Sequence, residues 1–248
     1  MENEAVDELI RSLASDKLIT LHIGNNSETS FSVHIQQKFL EVASTWFQKA
    51  FRDSKCEQTS VFTFTDDDPD TWKTVLYWIM HHKLPENKDK TNRSEKFIRN
   101  AKYWIVGHKY GIAGFQDEIM IQLLKEVDDH GPCVLTEREK CADLIAVTPP
   151  ESVLMRLLAE VVVEDEDDPG TYRFTDDIPE LKHNTGFWTA YVKALQDFRG
   201  DGLYFDSRLV MLEDCSPYYL RAHWRDYMVG ELPALVHYLK DDIWRVND

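Results

Sequence analysis

Basic residues are in short supply: Lys and Arg number 28 against 44 Asp and Glu, a formal net charge of −16. Such an excess of carboxylates repels phosphate backbones and anionic headgroups, which argues against nucleic-acid binding and against docking on a negatively charged membrane. Acidity favours solubility and names no partner. Long apolar runs are missing too. None reaches the ~18 residues a membrane-spanning helix needs, and Met1-Glu2-Asn3-Glu4 has no apolar stretch of the kind a secretion signal carries. Cysteine is scarce. Cys56, Cys133, Cys141 and Cys215 form no C-x-x-C pair and suggest no disulfide framework. Reduced thiols in an intracellular compartment, cytoplasm or nucleus, are therefore expected. No G-x-S-x-G, H-E-x-x-H, G-x-G-x-x-G or G-x-x-x-x-G-K pattern occurs. The expectation is a non-enzymatic protein with no cofactor.

What is present is enough to fold. The chain has 248 residues and is 43% hydrophobic, sufficient for one large domain or a domain plus a second unit. Val6, Leu9, Ile10 and Leu13 recur at helical spacing and predict a short N-terminal helix. The period then becomes two: Ile19, Leu21, Ile23, and after Gly24-Asn25-Asn26-Ser27, Phe31, Val33, Ile35. Two alternating runs around a loop of residues that tolerate positive φ predict a β-hairpin. Phe39, Leu40 and Val42-Ala43 belong to one short helix. Ser44 caps another, with Trp46, Phe47, Ala50 and Phe51 on its apolar side. Val61-Phe62-Thr63-Phe64 reads as a third strand. Asp66-Asp67-Asp68-Pro69 opens a helix with Trp72, Val75, Leu76 and Ile79 along one stripe. Leu84-Pro85 and a polar loop over residues 86–94 follow. Phe97, Ala101, Trp104, Ile105 and His108 mark a helix that stops near Gly111, and Phe115, Ile119, Leu123 and Val127 mark the next.

Asp128 to Pro132 is the expected boundary, because Gly131-Pro132 breaks a helix. Residues 1–130 and 131–248 are read as two regions, the second mainly helical. Thr136-Glu137-Arg138-Glu139 has the spacing of a capping box. Leu154, Leu157, Leu158 and Val161 form a stripe. The acidic run from Glu164 to Gly170 is expected to be a solvated loop. Further helices are predicted through Phe187, Tyr191, Leu195 and Phe198, from Ser216-Pro217 through Leu220, Trp224 and Tyr227, and through Leu232, Leu235, Val236, Leu239 and Ile243.

The first half thus reads hairpin, two helices, strand, three helices, an α+β arrangement, and its residues resemble a known family. Asp16-Lys17-Leu18-Ile19-Thr20-Leu21-His22-Ile23-Gly24 looks like that family's opening strand. Phe31-Ser32-Val33-His34 resembles its F-x-V-H signature, and Ser44-Thr45-Trp46-Phe47 its S-x-x-F helix start. Asp67-Asp68-Pro69 with Trp72 resembles D-x-P-x-x-F, with Trp in place of Phe. Trp104 to Ile112 resembles the later A-D-K-Y-x-I helix end, which Phe115-Gln116 to Ile119-Met120 continues. In order and spacing over roughly residues 9–127, these pieces resemble a BTB/POZ domain, in the style of fungal proteins with a single such domain. The resemblance implies a small sheet packed on helical hairpins and a protein that binds proteins. It says nothing firm about residues 131–248.

Many members of that family dimerise through the N-terminal segment and the first domain helix, which puts Val6, Leu9, Ile10, Leu13 and Phe39 at the expected homodimer interface. The alternative is that these residues pack on their own subunit. Many members also recruit a cullin scaffold as substrate adaptors of ubiquitin ligases, and the corresponding contacts fall on Lys55, Glu57 and Met80. The pattern departs here: Lys55 stands where the family has a hydrophobic residue, and its charge must be desolvated to fill an apolar pocket. The family's F-I-Y-T-G helix end reads Trp78-Ile79-Met80-His81-His82, so His82 stands at a site where glycine is usual. An enzyme with an unrecognised site in the second half is a further alternative.

Other side chains read as structural. His34 is expected to be hydrogen-bonded inside the domain, and His81-His82 to complement a helix C-terminus. Cys133, Cys141, Cys215 and His223 match no zinc-finger spacing and are expected to be inert. Neither acidic run has the D-x-D-x-D-G calcium pattern. Most of the seven tryptophans are expected in the core, with Trp224 and Trp244 the alternatives as interface anchors.

Overall fold

A computed structural model describes residues 17–25, 29–52, 60–86, 92–130, 134–167, 181, 183–200 and 224–230. The chain is mixed α+β and mostly helical, with one three-stranded sheet. It divides into two compact units, one within Met1–Glu86 together with Val106–Phe115, the other within Asn87–Ile105 together with Gln116–Asp248. This grouping cuts through two helices and differs from the division expected at residues 130 and 131.

In the first unit, β1 (Leu18–Ile23) and β2 (Phe31–Gln36) pair antiparallel from Leu18 opposite Gln36 to Ile23 opposite Phe31. Gly24, at φ 84°, leads out of β1 in a backbone region that glycine enters without penalty. β3 (Val61–Phe64) joins β1 in parallel, so β1 is central. The alternation does what a half-buried strand requires: Ile19, Leu21 and Ile23 are fully buried, and the intervening Thr20 and His22 lie on the other face. There His22 Nδ1 meets Ser32 Oγ at 2.6 Å and Thr20 Oγ1 meets His34 Nδ1 at 3.0 Å. His34 is hydrogen-bonded as expected, but on the exposed face of the sheet and not inside. Residue 34 alternates with buried Ile35, so its side chain must point outward.

Two short helices follow, α1 (Gln37–Ala43) and α2 (Thr45–Arg52). Ser44, buried between them, accepts from the Phe47 N–H at 3.1 Å and donates to the Tyr110 carbonyl at 2.5 Å, so one hydroxyl caps α2 and ties it to distant chain. α3 (Pro69–His81) begins as its sequence predicts: Pro69 occupies the first turn, and Asp68 accepts from the Thr71 N–H at 2.8 Å. It ends at His82, which caps it in the left-handed conformation at φ 50°. Its buried face is wider than the expected stripe, taking in Thr71, Thr74 and Trp78, while Leu76 is only half-buried.

Trp46, Phe47, Phe51, Phe62, Phe64, Trp72 and Tyr110 form one aromatic cluster. Phe64 stacks on Trp72 at 4.9 Å and Trp46 meets Tyr110 edge-on at 5.4 Å. Asp67 finishes it. Its carboxylate accepts from Trp72 Nε1 at 2.9 Å, from Lys109 Nζ at 2.6 Å, and from the Tyr110 hydroxyl.

α4 (Arg93–Lys109) and α5 (Ala113–His130) are joined by a turn in which Gly111 has φ 58°. Phe97, Ala101 and Trp104 are buried on α4 as expected, whereas Ile105 is half-buried and His108 exposed. Phe115, Ile119, Leu123 and Val127 of α5 are all buried. The second unit adds α6 (Arg138–Val147), α7 (Val153–Asp167) and α8 (Thr185–Gly200), with a 3₁₀ turn at Trp224–Tyr227. α6 begins at Arg138 after Glu137, without the side-chain cap expected from Thr136. The Glu137 carboxylate is instead held by Lys140 at 2.5 Å and Asn92 at 3.1 Å. The acidic run is not a loop from its start: Glu164 to Asp167 continue α7, because Val161, Val162 and Val163 keep that helix buried up to them and Asp165 lies 3.8 Å from Arg138. α7 is buried on most sides from Leu154 to Val163 and packs against α8, as a core helix does. Among the described residues no helix is long and apolar enough to cross a membrane.

Candidate functional site

The first candidate is the apolar surface of the first unit. Val42 on α1 is 70% exposed and Leu18, the first residue of β1, is 59% exposed. Phe39 lies one turn before Val42 on α1 and is half-buried, so the two share a helix side. Leu18 faces Gln36, the residue that precedes α1. On α3, Met80 is 49% exposed. Of the side chains expected from sequence to make partner contacts, only Phe39 and Met80 fall within the described residues. Val6, Leu9, Ile10 and Leu13 lie outside them, as do Lys55 and Glu57. Val42 and Leu18 are surface residues the sequence did not single out. Both belong to apolar runs that also supply buried neighbours, Leu40 and Ile19, and periodicity alone does not tell which of two faces is covered.

The second candidate is a cleft of about 560 Å³ in the second unit, between the first turns of α7 and the length of α8. Val153, Ala190 and Ala194 supply apolar lining, and Arg156, Glu160, Lys193 and Asp197 supply charge. The turn that leads into α7 is close to the start of α8: a Cβ on Gly186 would lie 2.3 Å from Pro150 Cβ and 2.9 Å from its Cα. Glu160 is 2% exposed. It accepts from Arg156 Nε at 2.8 Å and from the Tyr227 hydroxyl, and the Arg156 guanidinium sits 4.6 Å from the centre of the Tyr227 ring. A second buried carboxylate works nearby in the chain's path: Asp117 of α5, 1% exposed, accepts from the N–H groups of Val229 at 2.6 Å and Gly230 at 2.9 Å. Burial raises the Asp117 pKa, and the two backbone donors offset this only in part.

Sequence reasoning missed this arrangement, although a signal was there. Glu160 is the single charge between Leu157 and Val163, and a lone carboxylate in an apolar stripe needs a partner. Arg156, one turn earlier, is a partner that helical spacing names, whereas Tyr227, 67 positions away, was not legible. Cys141 is buried, and burial pushes its thiol up to about 12, consistent with the inert role expected. Cys133, Cys215 and His223 lie outside the described residues, as do Trp244 and the side chain of Trp224. Among the described residues no group of three or more His, Cys, Asp or Glu side chains is placed to hold a metal ion.

No protein-family model matches the chain, and no curated protein matches it.

Proposed function

We propose that this chain is a non-enzymatic protein-interaction protein that self-associates through its first unit, and that this unit is a BTB/POZ-type domain. The observation that carries the reading is the apolar surface on α1 and the start of β1. Leaving Val42 and Leu18 in water forgoes burial worth about 25 cal/mol per Å² of apolar area, and exposed apolar side chains on α1 and at the start of β1 fit a partner interface. It coincides with the first helix after the hairpin, where the family resemblance puts dimer contacts. The order of hairpin, two helices, strand and three helices supports the domain assignment.

Light scattering of the full chain across a dilution series tests the proposal. A dimer is expected, with Val42→Asp shifting it to monomer and leaving the circular dichroism spectrum unchanged. Leu9→Asp with Leu13→Asp tests the N-terminal segment separately. A wild-type chain that stays monomeric at every concentration removes the self-association reading.

The second reading, a cullin adaptor in a ubiquitin ligase complex, is favoured by exposed Met80 and opposed by Lys55. A pull-down with the N-terminal region of a cullin separates it from plain self-assembly. Absence of binding by a folded chain ends it.

A further inference from the structure

The outer face of the three-stranded sheet carries two histidines that the self-association reading does not use. In the antiparallel ladder Thr20 stands opposite His34, and His22 opposite Ser32. These four residues alternate with buried Ile19, Leu21, Ile23 and Ile35, so their side chains leave the sheet on one face. His22 and His34 are therefore diagonal neighbours. In that relation Cα atoms lie about 7–8 Å apart and long side chains reach one another. Each ring is held at one edge: His22 Nδ1 meets Ser32 Oγ at 2.6 Å, and His34 Nδ1 meets Thr20 Oγ1 at 3.0 Å. A ligating imidazole is usually fixed in this way, by a hydrogen bond at its other nitrogen that sets the tautomer. Nδ1–H donating to the hydroxyl leaves the Nε2 lone pair of each ring for another partner. No Lys, Arg, Asp or Glu occurs within β1, β2 or β3, so the strands bring no cation to oppose a metal and no carboxylate to draw a hard one.

We propose that His22 and His34 form a two-imidazole site for a divalent transition ion (Zn²⁺, Ni²⁺ or Cu²⁺), bound through both Nε2 atoms with water completing its shell. Nitrogen donors alone select these ions over Mg²⁺ and Ca²⁺. Metal–nitrogen bonds of about 2.0–2.1 Å bring the two Nε2 atoms within about 4 Å of each other. Rotation of the two rings on the outer face closes that distance. The net charge of −16 draws cations toward the chain. The ion clips β1 to β2, and because the unfolded chain does not hold the two rings together, binding stabilises the hairpin.

Zn²⁺ titration of the full chain at neutral pH, followed by the imidazole ring signals in NMR, tests this. The His22 and His34 signals are expected to shift together and to saturate at a common ion concentration, with Cu²⁺ binding more tightly than Zn²⁺. The chain has nine histidines, so variants identify the site. His22→Gln should weaken Zn²⁺ binding read at His34 by at least about tenfold, and His34→Gln should do the same at His22, because each leaves one ligand of two. Both side chains are on the outer face, so the circular dichroism spectrum should not change in either variant. A His34 signal that answers Zn²⁺ equally in the wild type and in His22→Gln overturns the shared site. So does a wild type in which neither ring responds. A response to Mg²⁺ matching that to Zn²⁺ overturns the choice of ion.

Discussion

Asp67 shows how much one residue can hold together. Burial alone would raise its pKa, but the donors Lys109, Tyr110 and Trp72, with the charge of Lys109, outweigh burial and hold it below the usual carboxylate value. A carboxylate whose pKa is lowered in the folded state adds stability above its unfolded value, and that stability is lost as pH falls through the folded value. Asp67→Asn should cost about 2 kcal/mol at neutral pH, from lost charge-assisted bonds, and should flatten the acid limb of stability against pH. Denaturant melts from pH 7 to pH 2 check it, and parallel wild-type and variant curves would count against the role. The same contact acts in the opposite sense on Tyr110. Burial and then Asp67 raise its phenol pKa, so its contribution is intact below about pH 10 and lost above. Cys141 should resist alkylation in the folded chain at pH 8 and react only on unfolding, as mass mapping of the modified cysteine would reveal.

At the scale of elements, local chemistry explains where helices start and stop better than it explains what they touch. Asp68, Pro69 and Ser44 cap where sequence rules put them. The acidic run at the end of α7 shows the limit: four carboxylates look like a loop, yet the helix continues through them because its preceding turn is buried and Arg138 faces Asp165. α7 and α8 offer a sharp test. In an exposed helix Gly→Ala stabilises by up to about 1 kcal/mol. Gly186→Ala should instead destabilise by about 1–3 kcal/mol, since the new methyl meets Pro150 backbone that cannot rotate away. Chemical denaturation measures the sign, and a stabilised variant would mean that the two helices part easily.

At the scale of the whole molecule, the two compact units share helices. α4 and α5 each run from one into the other, so a cut after residue 130 spares the first unit and divides the second. The fragment of residues 1–130 should keep the near-ultraviolet signal of the aromatic cluster. It should also bind a hydrophobic dye more strongly than the full chain, because Phe97, Ile119 and Leu123 are buried in the unit that the cut divides. A monodisperse fragment that binds no dye would make the boundary read from Gly131-Pro132 the sound one. The net charge of −16 belongs to this scale too, since it governs solubility and repulsion from polyanions and not the fold.

Properties that depend on neighbours along the chain were open to inspection from the start. The hairpin, the third strand, the buried stripe of α5 and the caps of α2 and α3 follow from side-chain period and from hydroxyl or carboxylate groups next to free N–H donors. Even the oddity of His82 was visible as a missing glycine, and it does take the left-handed conformation. Properties that depend on which distant groups meet were not. The parallel pairing of β3 with β1, the exposure of Val42 beside buried Leu40, the seat of Asp67 and the anchoring of Tyr227 and Gly230 all join residues far apart in sequence or choose between two faces of one element. A periodic pattern says that one face is apolar. Only packing decides which apolar side chains are covered and which are left for a partner.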